Sequence, residues 1–365
     1  MLKNKETAFL LDFPSVTSAQ WKQKIIRELK GKPFDDLIWH TNEGFEVQPF
    51  YSQEDLEKIK IRVPQKQRAG WEIRQDMIVT DLKKANEAAR KALEQGAESV
   101  GFKLSKIDLT KGNLKKLLSG VNLSNHPVHF SGVRMKSLQA VSSALNPNTS
   151  GSVDILDLSL PAIPEIARIA QNFPSFDFIT LKAPAFKASV GKSSAEEQIA
   201  EVLKLGAAFL KESAKANIPV HKLVPAIRFS ISLTSDYFME IAKLRALRLL
   251  WTEQVNQAEK MKHVPVFIHA ENTPQKTARG DEHYNLLRAT TTAMSAIIGG
   301  CDSLSLNAIV IPGKSKSFSE RIYRNIQLLL KYESCFDELD DPARGSFYVE
   351  ILTMKMMESV RKFLT

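Results

Sequence analysis

The sequence predicts a parallel α/β fold, a (β/α)8 barrel or an open doubly wound sheet, preceded by a helix-and-hairpin extension. Three observations carry this. From about residue 70 onward, short apolar runs alternate with longer helix-patterned segments, the order that builds a parallel sheet covered by helices. The 365 residues, 43% apolar and 25% charged, have ordinary globular composition and a length that one barrel fills without being divided. Residues 1–70 lack that alternation and read as a separate extension.

Within the extension, "TSAQWKQKIIRELKG" predicts an amphipathic helix capped by Thr17 or Ser18. Trp21, Ile25, Ile26 and Leu29 share one face, and Gly31 is the stop. "LIWHTNEGFEVQPFYS" predicts a hairpin turning at Asn42-Glu43-Gly44, and "SQEDLEKI" starts a second capped helix. Trp21, Trp39, Phe45, Phe50 and Tyr51 present more aromatic surface than so short an arm buries by itself. Residues 1–70 are therefore expected to be a subunit-interaction arm.

Beyond the arm, strands are expected at 99–104, 127–133, 152–160, 176–184, 226–233, 264–271 and 303–310. Helices are expected at 81–95, 135–145, 196–215, 237–260, 284–298 and 318–332. An eighth strand near "CFDELDDP" would close a barrel, but periodicity alone leaves barrel and open sheet both standing. Gly299-Gly300, between the helix at 284–298 and the strand that follows, predicts an αβ turn with glycine in the left-handed conformation.

Composition and motifs narrow the function. The net charge is +9 and the pI about 9.3, with lysine and arginine spread along the chain and no basic block. That is a solvated basic surface, and nucleic acid is not an expected partner. Two cysteines, Cys301 and Cys335, exclude a disulfide scaffold and fit a reducing cytoplasm. No apolar stretch has the length of a membrane span, and "MLKNKETAFLLDFPS" lacks a small-residue cleavage pattern. A cytoplasmic protein without membrane contact is expected. "GKSS" and "GKSKS" lack the first glycine of a phosphate loop, with Phe186 and Ala308 in its place. There is no dinucleotide fingerprint, no zinc spacing among the seven histidines and no nucleophile elbow, so no metal is expected. "DEHYNL" reads as a helix start capped by Asp281. In a barrel the site lies at the C-terminal strand ends, which nominates Lys103, Arg134, Asp157, Lys182, Lys187, His269, Glu271, Asn272 and Asn307.

Four segments carry a resemblance: "WEIRQ", "DYFMEIAKLRALRLLW", "YNLLRATTTAMSAIIGGCDSLSLNAI" and "DDPARGSFYVEILT" resemble methylmalonyl-CoA mutases. The N-terminal "FPSVTSAQWKQKIIRELKGKPFDDLIWHTNEGFEVQPFYSQEDL" looks most like their small, or β, subunit. The likeness runs over nearly the whole chain. It implies a (β/α)8 TIM barrel, adenosylcobalamin-dependent isomerisation, a CoA ester along the barrel axis, and a heterodimer with a catalytic large subunit.

The departures from the family pattern matter equally. The family's I-R-Q continues with a Tyr that stacks between substrate and corrin, whereas Arg74-Gln75 is followed here by Asp76. Its catalytic Tyr-His pair falls on Phe186 and Lys187. "DILDLSLPAIPE" lacks the Arg that pairs with the substrate carboxylate, and the CoA-contacting R-T-H-S stands as "FIHAE", with His269 kept. No catalytic residue is therefore expected. Substrate binding would rest on Arg74, Gln75, Lys187, His269 and Asn307. By this reading residues 71–365 are an acyl-CoA-mutase barrel, and the family's cobalamin domain is expected to be absent from this chain. No cofactor is expected on the chain alone, which would be a non-catalytic, small-subunit-like component stabilising a large subunit. The alternatives are a divergent or truncated mutase served by a cobalamin domain on another chain, and a CoA-ester-binding module. With no ester on the axis, side chains should fill it, Phe102, Phe130, Ile179 and Phe229 among them.

Overall fold

A computed structural model describes residues 16–57, 63–64, 66, 69–104, 107–183, 194–273 and 282–364. Helix α1 (Ser18–Glu28) is capped by Thr17, whose side chain accepts from the Gln20 amide while the Gln20 side chain reaches back. The chain leaves it through Lys30 and Gly31 at φ 51° and 90°, so the expected glycine stop is there. Strands β1 (Trp39–His40) and β2 (Glu46–Val47) pair antiparallel, with Gly44 at φ 75° in the turn. Ser52 and Asp55 form a capping box on the one-turn α2 (Gln53–Leu56).

The arm lies partly on its own barrel. Val47 is buried, Phe45 and Tyr51 pack on the core, and the Tyr51 ring meets Tyr348 at 5.9 Å. Helix α1 buries none of its residues. Trp21 and Trp39 stay 52% and 38% exposed, so only part of the aromatic set is left over.

The main sheet contains β3 (Glu72–Val79), β4 (Ser99–Leu104), β5 (Val128–Val133), β6 (Gly151–Ile155), β7 (Phe176–Asp177), β8 (Ile179–Lys182), β9 (Ile227–Leu233), β10 (Ile268–Asn272) and β11 (Ser303–Ser305). All its pairings are parallel, and its order is β7-β6-β5-β4-β3-β11-β10-β9-β8. The two ends, β7 and β8, are one strand interrupted at Phe178, so the sheet closes on itself as an eight-stranded barrel. This resolves the barrel against the open sheet.

The closing strand is not where it was expected. "CFDELDDP" is a run of turns, with Cys335 at φ 53°, and the remaining strand is β3, within the motif "WEIRQ". The strands expected to reach Leu160 and Val310 stop at Ile155 and Ser305, because the apolar runs continue beyond the point where a neighbour can pair with them.

Around the ring stand α3 (Leu82–Glu94), α4 (Lys111–Leu117), α5 (Leu138–Ala144), α6 (Ile163–Ala170), α7 (Ala195–Lys215), α8 (Val220–Leu223), α9 (Tyr237–Ala258), α10 (Glu282–Ile298) and α11 (Lys316–Tyr332). Helix α12 (Phe347–Leu364) adds a further layer over α7 and α9. That layer buries α9 almost all round, including Arg245, held by Asp341 and Glu350, and Arg248, held by Asp302 at 2.7 Å. At the end of α10, Gly300 takes φ 87° as expected. A Cβ on Gly299 would lie 3.1 Å from the Ile241 Cα, so that glycine also lets α10 press against α9.

The aromatic fillers do not fill the axis. Phe102 stacks on Phe130 at 5.9 Å in one outward row, and Phe229 meets Trp251 of α9 edge-on at 5.2 Å. Ile179 lies in register with Ile227, in the same outward row as Leu181 and Phe229. The apolar strand faces supply the barrel–helix core, and the alternate residues point inward.

Candidate functional site

The inward residues are polar almost throughout. Bonds between strands that are not neighbours identify them, since such bonds must cross the barrel interior. They form two tiers.

In the lower tier, Glu72 of β3 accepts from Ser99 Oγ at 2.5 Å and from His129 Nε2 of β5 at 2.9 Å. Arg228 of β9 donates to His129 Nδ1 and to Asp177 Oδ2, both at 2.9 Å, and to Ser152 Oγ at 3.0 Å. Its guanidinium also lies 3.8 Å from the centre of the Phe267 ring. With Nδ1 accepting from Arg228, the His129 ring hydrogen sits on Nε2 and is donated to Glu72. Burial, reinforced by Arg74, pushes the His129 pKa down to about 4, so the ring is neutral at pH 7. Burial raises Asp177 to about 6 against the pull of Arg228. For Glu72, burial is outweighed by His129, Arg228 and Ser99, which hold it at about 2.

In the upper tier, Asp76 lies 2.6 Å from Arg74 Nε and 3.2 Å from Lys103 Nζ. Lys103 reaches across to Glu271 of β10 at 2.7 Å, and Lys182 of β8 approaches the same carboxylate at 3.6 Å. Burial opposes ionisation of Asp76, but Arg74 and Lys103 outweigh it and hold the carboxyl far below the usual range. The Asp76 charge is thus paired, as a buried charge must be.

Small residues make room for these long side chains. Gly101, Ser131, Ser152, Ser230, Ser232, Ser303 and Ser305 share the inward rows. A Cβ on Gly101 would fall 1.8 Å from Asp76 Oδ1 and 2.8 Å from an Arg74 nitrogen. The space left among the upper-tier side chains is about 10 Å³, room for one water at most.

The expected site residues divide as follows. Arg74, Asp76, Lys103, Lys182, His269 and Glu271 converge on the axis. His269 is 3% exposed, is hydrogen-bonded through Nδ1 to Ser303 Oγ at 2.8 Å, and is kept neutral by burial and by Arg74. Gln75 points the other way, into the helix layer, where it accepts from Arg324 at 3.3 Å. It therefore cannot touch a ligand on the axis. The reason is the period of a strand: with Arg74 and Asp76 inside, the residue between them is outside. Asn307 donates to the Asn272 carbonyl at 3.0 Å and receives a bond from the Asn272 amide at 3.3 Å, tying two strand ends together. Asp157 accepts from the Met135 amide at 2.6 Å and Arg134 is exposed, so both belong to the rim loops. Phe186, Lys187 and Asp281 lie outside the described residues.

Asp76, His269 and Glu271 bring ligand-type atoms within 4.8 Å of one another, but the Lys103 ammonium already serves both carboxylates. A metal ion there would have to displace it. Sequence reasoning passed over Glu72, His129, Asp177 and Arg228. Their signal was present as alternating polar residues in "WEIRQD", "VHFS", "FDFIT" and "IRFSIS".

The family model described as methylmalonyl-CoA mutase matches residues 159–365. The methylmalonyl-CoA mutase small subunit of Porphyromonas gingivalis is 33% identical over 99% of this chain and 64% of its own length. That of Streptomyces virginiae is 27% identical over 96% of this chain and 63% of its own. The methylmalonyl-CoA mutase of Escherichia coli is 26% identical over 94% of this chain and 57% of its own. The chain thus spans less than two thirds of the length of each of these relatives.

Proposed function

This chain belongs to the methylmalonyl-CoA mutase family, and from that premise we propose that it is a small-subunit-like, non-catalytic component that stabilises a catalytic large subunit. The observation that carries this reading is the plugged axis. A CoA ester threaded through the barrel would have to part the Arg74–Asp76–Lys103–Glu271 network. Parting a buried pair costs roughly 3–5 kcal/mol, and several would have to part together. The one imidazole of the tier, His269, is already engaged through Nδ1 by Ser303, and the hydroxyls beside it, Ser131, Thr180 and Ser230, stand among the paired charges.

The mouth does not suit adenosylcobalamin either. A corrin needs an apolar face to lie on, and among the described residues the inward groups at this end include Lys103, Lys182 and Glu271, tied to one another, and Asp154. No step is therefore assigned to that group on this chain. A surface open to a partner is the exposed side of the arm, with Trp21, Ile26 and Trp39. Among the described residues no helix is long and apolar enough to cross a membrane, and Cys301 and Cys335 are free thiols, which suits a reducing cytoplasm.

Two measurements test the reading. Calorimetric titration with CoA and with methylmalonyl-CoA should give no micromolar binding, and the chain alone should show no turnover with adenosylcobalamin. Micromolar binding abolished by His269→Ala would favour the binding-module or enzyme alternative instead.

A further inference from the structure

Among the described residues, the arm meets the barrel through carboxyls that form no ion pair. Glu43, in the turn joining β1 and β2, accepts from the Ala195 amide at the start of α7 at 3.5 Å. Its carbonyl accepts from Ser359 Oγ of α12 at 3.3 Å. From α7 the seam also receives Glu196, 3% exposed, whose Oε2 is buried without a hydrogen-bond partner. Glu197 of the same turn is engaged by the Ser194 amide at 3.1 Å. From α9 comes Asp236, its N-cap residue. The cation of that helix nearest in sequence, Lys243, is taken by Glu240 at 2.5 Å and by the Ser232 carbonyl at 2.8 Å. Helix α12 carries Lys355, Glu358 and Lys362 around the Ser359 contact. Among the described residues, no ion pair includes Glu43, Glu196, Glu197 or Asp236.

We propose that the β1–β2 hairpin is a proton-linked latch on the barrel, closed while the Glu43–Glu196 seam holds a proton and loosened when it loses one. Glu196 is buried and Glu43 half-buried, and among the described residues neither is in an ion pair; two such carboxylates repel, and protonating one removes the repulsion. The directions agree: burial, with Asp236 for Glu43 and with Glu43 and Glu197 for Glu196, raises both carboxyls above the ordinary range. A carboxyl raised in the docked state stabilises docking fully below its free pKa. That contribution is lost as pH rises through the docked value. The latch stands whether or not the chain pairs with a large subunit.

Hydrogen exchange across residues 39–47 of the full chain tests it, read as protection relative to the intrinsic rate at each pH. Protection in the unmodified chain should fall from about pH 5 to about pH 8, by at most roughly tenfold for each pH unit over which the seam titrates. Glu43→Gln should flatten that dependence while Glu54→Gln, on α2, should leave it intact. If Glu43→Gln fails to fold, Glu196→Gln supplies the same comparison. Equal pH dependence in the unmodified and Gln chains, or none in either, overturns the latch.

Discussion

Replacing Arg228 with Met tests whether the lower tier is a true ion-pair network. Arg228 is 3% exposed and serves His129, Ser152 and Asp177 at once. Methionine keeps most of the stem but strands Asp177 and leaves Glu72 without its cation. Removing one partner of a buried pair costs roughly 3–5 kcal/mol. The loss has a pH signature. Asp177 already titrates at about 6, and without Arg228 its folded pKa rises further above the unfolded value. A raised carboxyl stabilises below the unfolded pKa and loses that stability as pH climbs through the folded pKa, so the deficit should grow above about pH 6. His129 works in the same sense. Its folded pKa, about 4, lies below the unfolded value, so its stability is present above the unfolded pKa and lost on acidification. Arg228 depresses that pKa, so the variant loses less on acidification. Urea unfolding followed by tryptophan fluorescence at about pH 5.5 and about pH 8 measures the deficit at each. Adding Asp177→Asn to the variant should recover part of the loss at the higher pH. A loss under about 1 kcal/mol, or one larger at the lower pH, would refute the network account, because a surface-like pair is worth no more than that.

Gly101→Ala would drive a Cβ into Asp76 and Arg74, and overpacking of this kind costs about 1–3 kcal/mol, visible as a lowered denaturation midpoint. Gly206→Ala places a Cβ 2.4 Å from the Trp251 ring, so a similar loss should come with a changed tryptophan emission; unchanged emission would contradict the close approach of α7 to α9. Trp21→Ala with Ile26→Ala should leave the melting temperature within a few degrees, since both side chains are exposed, and should weaken co-purification with a co-expressed large subunit of the family. Undiminished co-purification would remove α1 from the proposed interface.

Much of this protein is written locally. The cap at Thr17, the turn at Gly44, the stop at Gly300 and the alternation of strands with helices follow from residue types within a few positions of one another, so they could be read without a fold. The resemblance supplied the closed barrel, yet it could not say that β3 was the missing strand, because "WEIRQDMIV" holds too much charge to look like a buried strand by itself. The two faces of each strand were equally legible as a polar row and an apolar row. Which row faces the axis was not. A period of two assigns residues to opposite faces without saying which face is inside. That depends on the helix layer, whose apolar faces take up Phe102, Phe130 and Phe229 and leave the charged rows to the axis. The pairing of Asp76 with Lys103, and of Arg228 with His129 and Asp177, joins residues 27 to 99 positions apart, and only closure of the ring brings them within hydrogen-bonding distance.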